Sequence, residues 1–562
     1  MPSLASSSLI DWLSPGGSSS SSVSPLLVLT LAILVGLAIL AILYPDRPIG
    51  VAPHAPGINH WKGYPLVGSL DWILSVSHGG NRLLDEIFLM QKTEGMGAGG
   101  QPMSVTFPAL GGRVTVINNP RYLEWVQKTN FDNYPKGPDF HRCMSDVLGP
   151  HGIFVADGAP WFQQRKLASH IFSRSFFSSH VQDTMKAEVV KLDKLLLDAS
   201  DGKCKGEKIQ FPDLMFRFTL STFAFLAFNA EVDVLPDNVD GLQKVNEFGR
   251  DFDFAQTVLD HRFVSVLPKW TEWFTKEGHQ MRKTINGLHN YCYRIIDSRL
   301  ERKKAGGEMS GTKAGKDLLE LFIDQGISRE ELLPVLLNFI VAGRDTTAQS
   351  LAWFFYEMWK HPEHIAKIRQ TLVPVLGAPN EQRPMDFEDY KELPYLHACF
   401  YEAIRLWPAV PKNAKRVLKD DIIQPSASKD ASGDSLNLPP VPVRKGESVL
   451  WSDWAMARMP EIWGEDCEDF KPERFLETDG GGKMKVVEVS QWKFHAFNGG
   501  PRLCLGKLLA TYEGMAVIAA ILGRYDVVFD SEDLQRNPPT YQDSLTLPCS
   551  PYWVQFEKRQ DI

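Results

Sequence analysis

The chain has 562 residues, of which 44% are hydrophobic and 23% are charged. This balance excludes a disordered, collagen-like or disulfide-stapled protein, because it provides the apolar surface for a large core. The net charge of -8 argues against nucleic acid as the main partner. The 7 cysteines are scattered without a Cys-x-x-Cys pair, which is typical of reduced thiols and not of a disulfide framework.

The first predicted element is an apolar helix close to the N-terminus. No charged residue lies between Asp11 and Asp46, and Leu26 to Tyr44 is almost entirely Leu, Ile, Val and Ala. About 20 apolar residues are enough to cross a bilayer. A cleaved signal would carry a basic start and a shorter apolar core, and a buried core helix would not usually follow a Ser- and Gly-rich leader. We expect a leader at 1–24 and a transmembrane anchor at 25–44.

A Pro- and Gly-rich segment at 45–62 is expected to form a hinge between the anchor and the body. Arg47 and Lys62 follow the apolar span and no cation precedes it, which favours a body on the cytosolic side. The body, residues 63–562, is interpreted as one large domain.

The start of the body predicts strands and the middle predicts helices. Met103 to Phe107 and Arg113 to Ile117 have the pattern of a β-hairpin, and Asn119 with Pro120 predicts a helix start. Helical periodicity then extends from about Asp157 to Trp407. We expect a mainly α fold with small β-sheets, and not alternating βαβ units. Two polar stretches are expected to be surface loops, at 303–316 and 419–438.

The first candidate binding pair is Trp161 and Arg165. Four residues apart on a helix, they share one face, and both can donate to a single anionic group. A core Trp next to a solvated Arg is the alternative, and the pair alone does not decide between them.

A polar pair lies inside the next long helix, which is predicted from Ser328 to about Lys360 and begins with a capping box. At its centre Asp345 and Thr346 stand among apolar residues, where such groups are costly without partners. Either the pair serves a reaction, or the hydroxyl bonds to the helix backbone and the carboxylate is capped.

A third pattern, Glu402 and Arg405, is usually a surface pair that contributes little. Here it precedes Arg474, which lies within Phe470–Phe475.

The strongest motif runs from Phe497 to Gly506 and reads Phe-Asn-Gly-Gly-Pro-Arg-Leu-Cys-Leu-Gly. Gly499 and Gly500 are expected to supply backbone torsions that other residues avoid. Cys504 precedes an apolar helix whose first amides stabilise a thiolate, which favours this sulfur as a metal ligand. A buried cysteine in a turn is the alternative. His495 is less suited as a ligand, because no such loop surrounds it.

These motifs, in this order and spacing, resemble those of the cytochrome P450 family over about residues 60–562. The resemblance implies the P450 fold and haem b, with Cys504 as the ligand of the iron. It implies that Asp345 and Thr346 are catalytic and deliver protons for oxygen activation. It assigns haem binding to Trp161, Arg165, Phe497, Arg502 and Gly506, and a structural network that holds the cysteine loop to Glu402, Arg405 and Arg474.

The activity implied is a monooxygenase that inserts one atom of O2 into a C–H bond of a hydrophobic small molecule. No nucleotide-binding motif follows a predicted strand, so electrons are expected from NADPH through a separate flavoprotein reductase. Cytochrome b5 is a second expected partner. Lys166 and Lys507 are candidate contacts for the reductase. The expected location is the endoplasmic reticulum membrane, single-pass, with the body in the cytosol.

The substrate is inferred from three segments, Ala342–Thr347, Asn133–Gly137 and Asp157–Gly158. They resemble the plant and fungal long-chain ω-hydroxylase branch, which implies terminal hydroxylation of fatty acids or alkanes. Hydroxylation of a terpenoid or polyketide is an alternative. A redox-neutral haem-thiolate enzyme and a non-catalytic haem protein are further alternatives, and the Asp345–Thr346 pair argues against both.

Overall fold

The computed structural model describes residues 24–77, 82–93, 96–108, 111–172, 176–265, 268–306, 316–426 and 438–560. Helices dominate this part of the chain. They are α1 (Pro25–Leu43), α2 (Leu70–Ser77), α3 (Leu83–Lys92), α4 (Pro120–Glu124), α5 (Gly137–Leu148), α6 (Gly158–Ala168), α7 (Gln182–Ser200), α8 (Phe211–Phe228), α9 (Glu247–Val264), α10 (Pro268–Glu272), α11 (Lys276–Lys304), α12 (Leu318–Asp324), α13 (Arg329–Lys360), α14 (Pro362–Leu376), α15 (Pro394–Leu406), α16 (Asp453–Met456), α17 (Pro460–Trp463), α18 (Lys507–Arg524) and α19 (Ser531–Arg536).

The strands are short and form four small sheets among the described residues. They are β1 (Asn59–His60), β2 (Met103–Thr106), β3 (Arg113–Val116), β4 (Ile209–Gln210), β5 (Lys412–Arg416), β6 (Asp421–Ile423), β7 (Val441–Val443), β8 (Ser448–Ser452), β9 (Leu476–Thr478), β10 (Met484–Val486), β11 (Tyr525–Phe529) and β12 (Trp553–Lys558). The largest sheet has the order β1-β2-β3-β8-β5, and the next has the order β11-β12-β4. The predicted mainly α fold with small sheets is confirmed.

The hairpin and the two helix starts follow the predictions. Strands β2 and β3 are antiparallel, with Met103 opposite Val116. The Asn119 side chain accepts a hydrogen bond from the backbone N–H of Arg121 at 3.0 Å, so it caps α4. Ser328 and Glu331 form both hydrogen bonds of the capping box at the start of α13.

The loop prediction for 419–438 is wrong for its first residues. Asp421 to Ile423 form β6, which pairs antiparallel with β7. The Asp421 carboxylate accepts hydrogen bonds from the side chains of Trp125, Asn130 and Tyr134. A polar side chain that suggests a surface loop is thus held by distant partners, which local sequence does not reveal. Residues 427–437, and 307–315 of the other predicted loop, lie outside the described residues.

Two described helices are long and apolar enough to cross a membrane, and they differ in burial. Helix α8 is mostly packed inside the protein, whereas none of α1 is buried. Helix α1 coincides with the predicted anchor. The leader up to residue 23 lies outside the described residues, and the division into leader, anchor, hinge and body stays a prediction.

The core is organised around α13, which packs against α8, α15 and α18. Between Leu332 and Met358 every residue of α13 is buried except Ala342, Gly343 and Thr346. Because residues three and four positions apart share a helix face, the partly exposed Ala342, Gly343 and Thr346 form one small patch on a buried helix.

Candidate functional site

The loop before α18 takes its shape partly from residues outside it. The N–H of Cys504 donates to the carbonyl of Phe497 at 2.8 Å. Gly500 has a φ of 58°, and a Cβ there would lie 2.3 Å from the carbonyl oxygen of Gln127. Gly499, in contrast, is extended, and the reason for glycine is steric, since a Cβ would lie 2.4 Å from the ring of Trp492. The torsional expectation therefore holds for Gly500 and is wrong for Gly499.

Cys504 is presented to an internal space. All seven cysteines lie in the described residues, and Cys504 alone is exposed while the other six are buried. Burial nevertheless raises the pKa of the Cys504 thiol, and the backbone N–H groups of Gly506 and Lys507 oppose that rise. The thiol thus keeps accessible surface, and the residues just before it, 500–503, line a cavity. A metal ion in that space would replace the thiol proton.

Phe497 and Gly506 flank this sulfur in different ways. The ring of Phe497 packs 5.9 Å from that of Phe494 and 6.1 Å from that of Tyr401. A Cβ on Gly506 would meet nothing closer than 3.8 Å, where the nearest atoms belong to Cys504 and Phe172. Phe497 is thus held by aromatic neighbours, and Gly506 leaves room beside the thiol.

Glu402, Arg405 and Arg474 form one buried network. Arg405 donates to Glu402 with Nε at 2.6 Å and Nη2 at 2.8 Å, and Arg474 Nε donates to Glu402 Oε1 at 3.2 Å. Glu402 is 0% exposed. Arg405 also donates to the carbonyls of Ala457 and Cys467, so the network ties α15 to the chain that leads to the cysteine loop.

An aromatic cluster extends this network to the loop itself. Tyr401, next to Glu402 on α15, packs against Phe475, Phe494 and Phe497. Phe475 follows Arg474 and also contacts Phe494, with ring centroids 5.0 Å apart. The ion pairs of Glu402 therefore hold the backbone around α15, and the neighbouring aromatic rings hold the cysteine loop.

Trp161, Arg165 and Arg502 meet at the edge of the same space. Arg165 Nη2 donates to the carbonyl of Leu503 at 2.6 Å, and the Arg502 guanidinium lies 4.1 Å from the Trp161 ring centroid. Arg502 Nη2 donates to Asp157 Oδ1 at 2.8 Å. Its Nε is buried and has no partner among the described residues. The sequence-predicted binding residues are thus together, with donor capacity left over.

Two further cations, Lys136 and Lys415, were not predicted to belong to this group. Burial and, to a lesser extent, the positive charge of Arg502 lower the pKa of Lys136 to about 7. Burial lowers the pKa of Lys415 well below its usual value, with Lys136 and Arg502 as additional causes. Lys415 lies on β5 and Lys136 lies just before α5, so only the fold brings them together. Their spacing in sequence carries no signal of this.

We call Lys136, Arg165, Lys415 and Arg502 the cation group. The carboxylate that faces it is Asp157, which is already paired with Arg502. Burial, together with the positive charge of Arg165, lowers the pKa of Arg502 to about 10, although Asp157 opposes this. A cavity of about 1360 Å³ borders the group and is lined by Trp161, Arg165 and Arg502. Haem carries two negatively charged propionates and a metal that binds thiolate. The cation group fits the propionates, and Cys504 fits the metal.

On α13 the side chains of Asp345 and Thr346 have different hydrogen-bond partners and do not bond to each other in the described part of the chain. The Thr346 hydroxyl donates to the carbonyl of Ala342 at 2.8 Å. Asp345 is 0% exposed, and its carboxylate accepts from Gln256 Nε2 and from Arg344 Nη1, each at 2.8 Å. Burial raises the pKa of Asp345 to about 6, and Arg344 opposes the rise. Gly343 allows close packing of Phe223, whose ring a Cβ would approach to 2.1 Å.

His495 is occupied by other partners. Its Nδ1 lies 2.6 Å from Asp453 Oδ1, and its Nε2 lies 3.1 Å from Gln127 Oε1. Since both ring nitrogens are engaged and the side chain is buried, His495 offers no free nitrogen to a metal.

Comparison with known proteins agrees with this geometry. Residues 104–556 match the sequence model described as Cytochrome P450. Cytochrome P450 monooxygenase cyp1 of Mycosarcoma maydis is 35% identical over 93% of this chain and 79% of its own length. Two proteins of Arabidopsis thaliana are also similar. Cytochrome P450 86B1 is 32% identical over 91% of this chain and 89% of its own length, and Cytochrome P450 94B1 is 29% identical over 92% and 94%.

Proposed function

The chain belongs to the cytochrome P450 family and is a monooxygenase of that family, and on this premise we propose that it hydroxylates the terminal carbon of long-chain fatty acids or alkanes. The family implies haem, a hydrophobic substrate and a reductase as redox partner. The observation that carries the substrate class is that Asp157 joins two of the segments that resemble the ω-hydroxylase branch. Its carboxylate accepts from the backbone N–H groups of Lys136 and Gly137, at 3.0 and 3.1 Å.

In this proposal the chain holds haem at two ends. Cys504 would bind the iron through Sγ, and the cation group with Trp161 would bind the propionates. When bound, thiolate-ligated haem supplies the activation of O2 and the oxidation of the C–H bond. The buried Glu402 network keeps the cysteine loop in place and takes no part in the reaction.

In this proposal Asp345 and Thr346 of α13 deliver protons. Thr346 lies in the exposed patch with Ala342 and Gly343, and Asp345 lies behind it, fully buried. Thr346 is thus partly accessible, while Asp345 is the neighbouring carboxyl that can hold a proton. Ala342 has a small side chain there, and the ring of Phe223 covers the position of Gly343.

We assign the enzyme to the endoplasmic reticulum membrane, single-pass and facing the cytosol. Helix α1 supports an anchor because it is apolar and unburied. A second apolar surface lies between α10 and α11, where Trp270, Trp273 and Phe274 are 64%, 66% and 75% exposed. Two apolar surfaces on one chain suit a protein that takes its substrate from lipid. Alkaline carbonate extraction and protease protection of microsomes test this placement.

Electrons are assigned to an NADPH-dependent flavoprotein reductase, with cytochrome b5 as an additional donor. Lys166 on α6 is exposed, and α6 supplies Arg165 to the cysteine loop, so this surface is close to the haem edge. Lys507 is half-buried, with its ammonium over the Phe497 ring. Reversing both charges should slow reductase-driven turnover and spare peroxide-driven turnover. Equal loss of both activities would overturn the docking assignment.

The substrate proposal is tested by product analysis. Purified enzyme with reductase is offered saturated fatty acids, n-alkanes and terpenoids at equal concentration, and the products are identified by mass spectrometry. Terminal alcohols from the linear chains are expected to dominate. Preferred conversion of a terpenoid would overturn the substrate class and leave the monooxygenase assignment intact.

A further inference from the structure

A ring made of three side-chain hydrogen bonds and one turn of α13 connects Asp345 to the next turn of its own helix. Gln349 Nε2 on α13 donates to the Thr546 hydroxyl at 2.9 Å, and that hydroxyl donates to Gln256 Oε1 on α9. Gln256 Nε2 then donates to Asp345 Oδ2 at 2.8 Å. Asp345 and Gln349 are four residues apart on α13, so the ring leaves this helix and returns to it. Each of the four side chains is at most 8% exposed.

The direction of each bond in the ring follows from its neighbours. The Thr546 hydroxyl has one proton, which it gives to Gln256 Oε1, and this leaves Gln256 Nε2 to face Asp345. The other carboxylate oxygen of Asp345 accepts from Arg344 Nη1 at 2.8 Å. Both oxygens of Asp345 therefore receive N–H groups. This arrangement suits the ionised carboxylate, because a proton on Oδ2 would point at the N–H of Gln256.

The charges around Asp345 act in opposite directions, since Arg344 favours the carboxylate and the negative charge of Asp253 favours the protonated form. Arg344 contacts Asp345 and pairs with Asp253 of α9 at 3.0 Å. From helix α8 the neutral Thr219 lies next to this pair, and its hydroxyl donates to the Arg344 carbonyl. The loop after α19 contributes Thr546. Of the ring members, only the amide of Gln256 can change from donor to acceptor towards Asp345, by turning its oxygen to that side.

We propose that Gln256 is a positioning residue that sets the protonation state of Asp345 by rotation of its amide. In the state present here, Nε2 holds Asp345 as the carboxylate. After half a turn, Oε1 accepts the O–H of protonated Asp345, and Nε2 donates to the Thr546 oxygen, which can also accept. The rotation itself transfers no atom. The proton that Asp345 takes up comes from bulk solvent and is passed on towards Thr346.

The proposal rests on the proposed proton role of Asp345 and adds Gln256, a residue outside the sequence motifs described above. Gln256 lies on α9, outside every motif of the sequence. Its link to Asp345 also means that a displacement of α9 would break the ring.

The test measures the pKa of Asp345 by infrared spectroscopy of the purified full-length holoenzyme across a pH series. The C=O stretch of a protonated carboxyl group that disappears in Asp345→Asn is assigned to Asp345. Gln256→Leu removes the donor, so the midpoint should rise by about one to two pH units, the shift equivalent to a hydrogen bond to a charged group. An unchanged or lowered midpoint would overturn the proposal.

Thr546→Val is the decisive variant, because Thr546 does not contact Asp345. It removes the proton that orients the amide, and the free rotation should raise the midpoint by less than Gln256→Leu does. Thr546→Ser should restore the original value. A fixed, non-rotating Gln256 predicts no change in Thr546→Val, and that result would refute the rotation.

A matched control comes from the neighbouring residue of α9. The Thr257 hydroxyl accepts from Gln542 Nε2 at 2.9 Å, so Thr257→Val removes another hydrogen bond between α9 and the loop after α19 without touching the ring. It should leave the midpoint unchanged. Peroxide release during turnover tests the proton role of Asp345 separately from the role of Gln256. If Asp345→Asn remains fully coupled, the proton role of Asp345 fails, whereas the infrared shifts still report on the ring.

Discussion

The cysteine loop and the cation group lie side by side and are built in opposite ways. Ten consecutive residues, Phe497 to Gly506, present the thiol. The four cations come from separate places, before α5, on α6, on β5 and within the loop. The loop can therefore be recognised as a sequence motif, whereas the four cations come close together only after folding. The difference teaches that a motif locates the chemistry, while long-range assembly sets its electrostatics.

The largest effect is expected from the locally encoded thiol. Cys504→Ser should abolish the red-shifted band of the reduced, carbon-monoxide-bound protein and all turnover, because serine does not supply the electron donation of a thiolate. Cys204→Ser is the control, since this buried cysteine lies far along the chain in the segment between α7 and α8. A retained band in Cys504→Ser would refute the assignment of the iron ligand.

The next effect concerns the assembled network below the loop. Glu402→Gln leaves Arg405 and Arg474 buried without their counter-charge, so the free energy of unfolding should fall by about 3–5 kcal/mol. Denaturant unfolding followed by circular dichroism measures it. Glu477→Gln breaks a pair with Lys485 in which both side chains are more than half exposed, and it should cost no more than about 1 kcal/mol. Equal effects would contradict the structural role of Glu402.

The cation group itself is tested by the rate at which haem is lost. Lys415→Met should accelerate transfer of haem to an acceptor protein about 10- to 100-fold, the loss of one hydrogen bond to a charged group. The same change should stabilise the haem-free protein, because burial disfavours the charged form of Lys415 and methionine carries no ionisable group. Arg416→Gln is the matched control on the same strand, since Arg416 pairs with Asp139. Faster loss in both variants would point to damage of β5 instead.

A pH series sharpens the same point. In the haem-free fold the pKa of Lys136 is lowered to about 7, whereas an unfolded lysine has a pKa of about 10.4. Between these values the unfolded chain binds more protons, so the stability of the haem-free protein should rise with pH and be lost as the pH falls. Urea unfolding at each pH measures this slope. Bound haem, or Lys136→Met, should reduce the dependence of stability on pH. A stability that falls as the pH rises would be inconsistent with a surplus of positive charge.

The smallest effect belongs to a signal that is entirely local. Ser328→Ala removes the capping box of α13 and should lower the free energy of unfolding by about 1 kcal/mol, as helix caps do. The thermal midpoint of the holoenzyme reports it. Ser328→Asp, which keeps a capping oxygen, should recover most of the loss. A cost like that of Glu402→Gln would break the distinction between local and assembled features.

Sequence reasoning identified the features that depend on neighbours along the chain. The hairpin at β2 and β3, the caps at Asn119 and Ser328, and the cysteine loop all have local signatures. It missed β6, because the contacts of Asp421 are with residues 287 to 296 positions away. It also missed Lys415 and Gln256, because neither an alternating strand nor an amphipathic helix indicates which distant group a polar side chain will meet.

The surplus of positive charge at the edge of the cavity has a consequence for biosynthesis. A newly made chain must bring four mutually repelling segments together, and porphyrin relieves that repulsion only once it arrives. We expect haem-starved cells to degrade the chain faster, since less stable folds are cleared sooner, and pulse-chase labelling would measure it. The abundance of the enzyme would then follow the output of tetrapyrrole synthesis without a dedicated sensor.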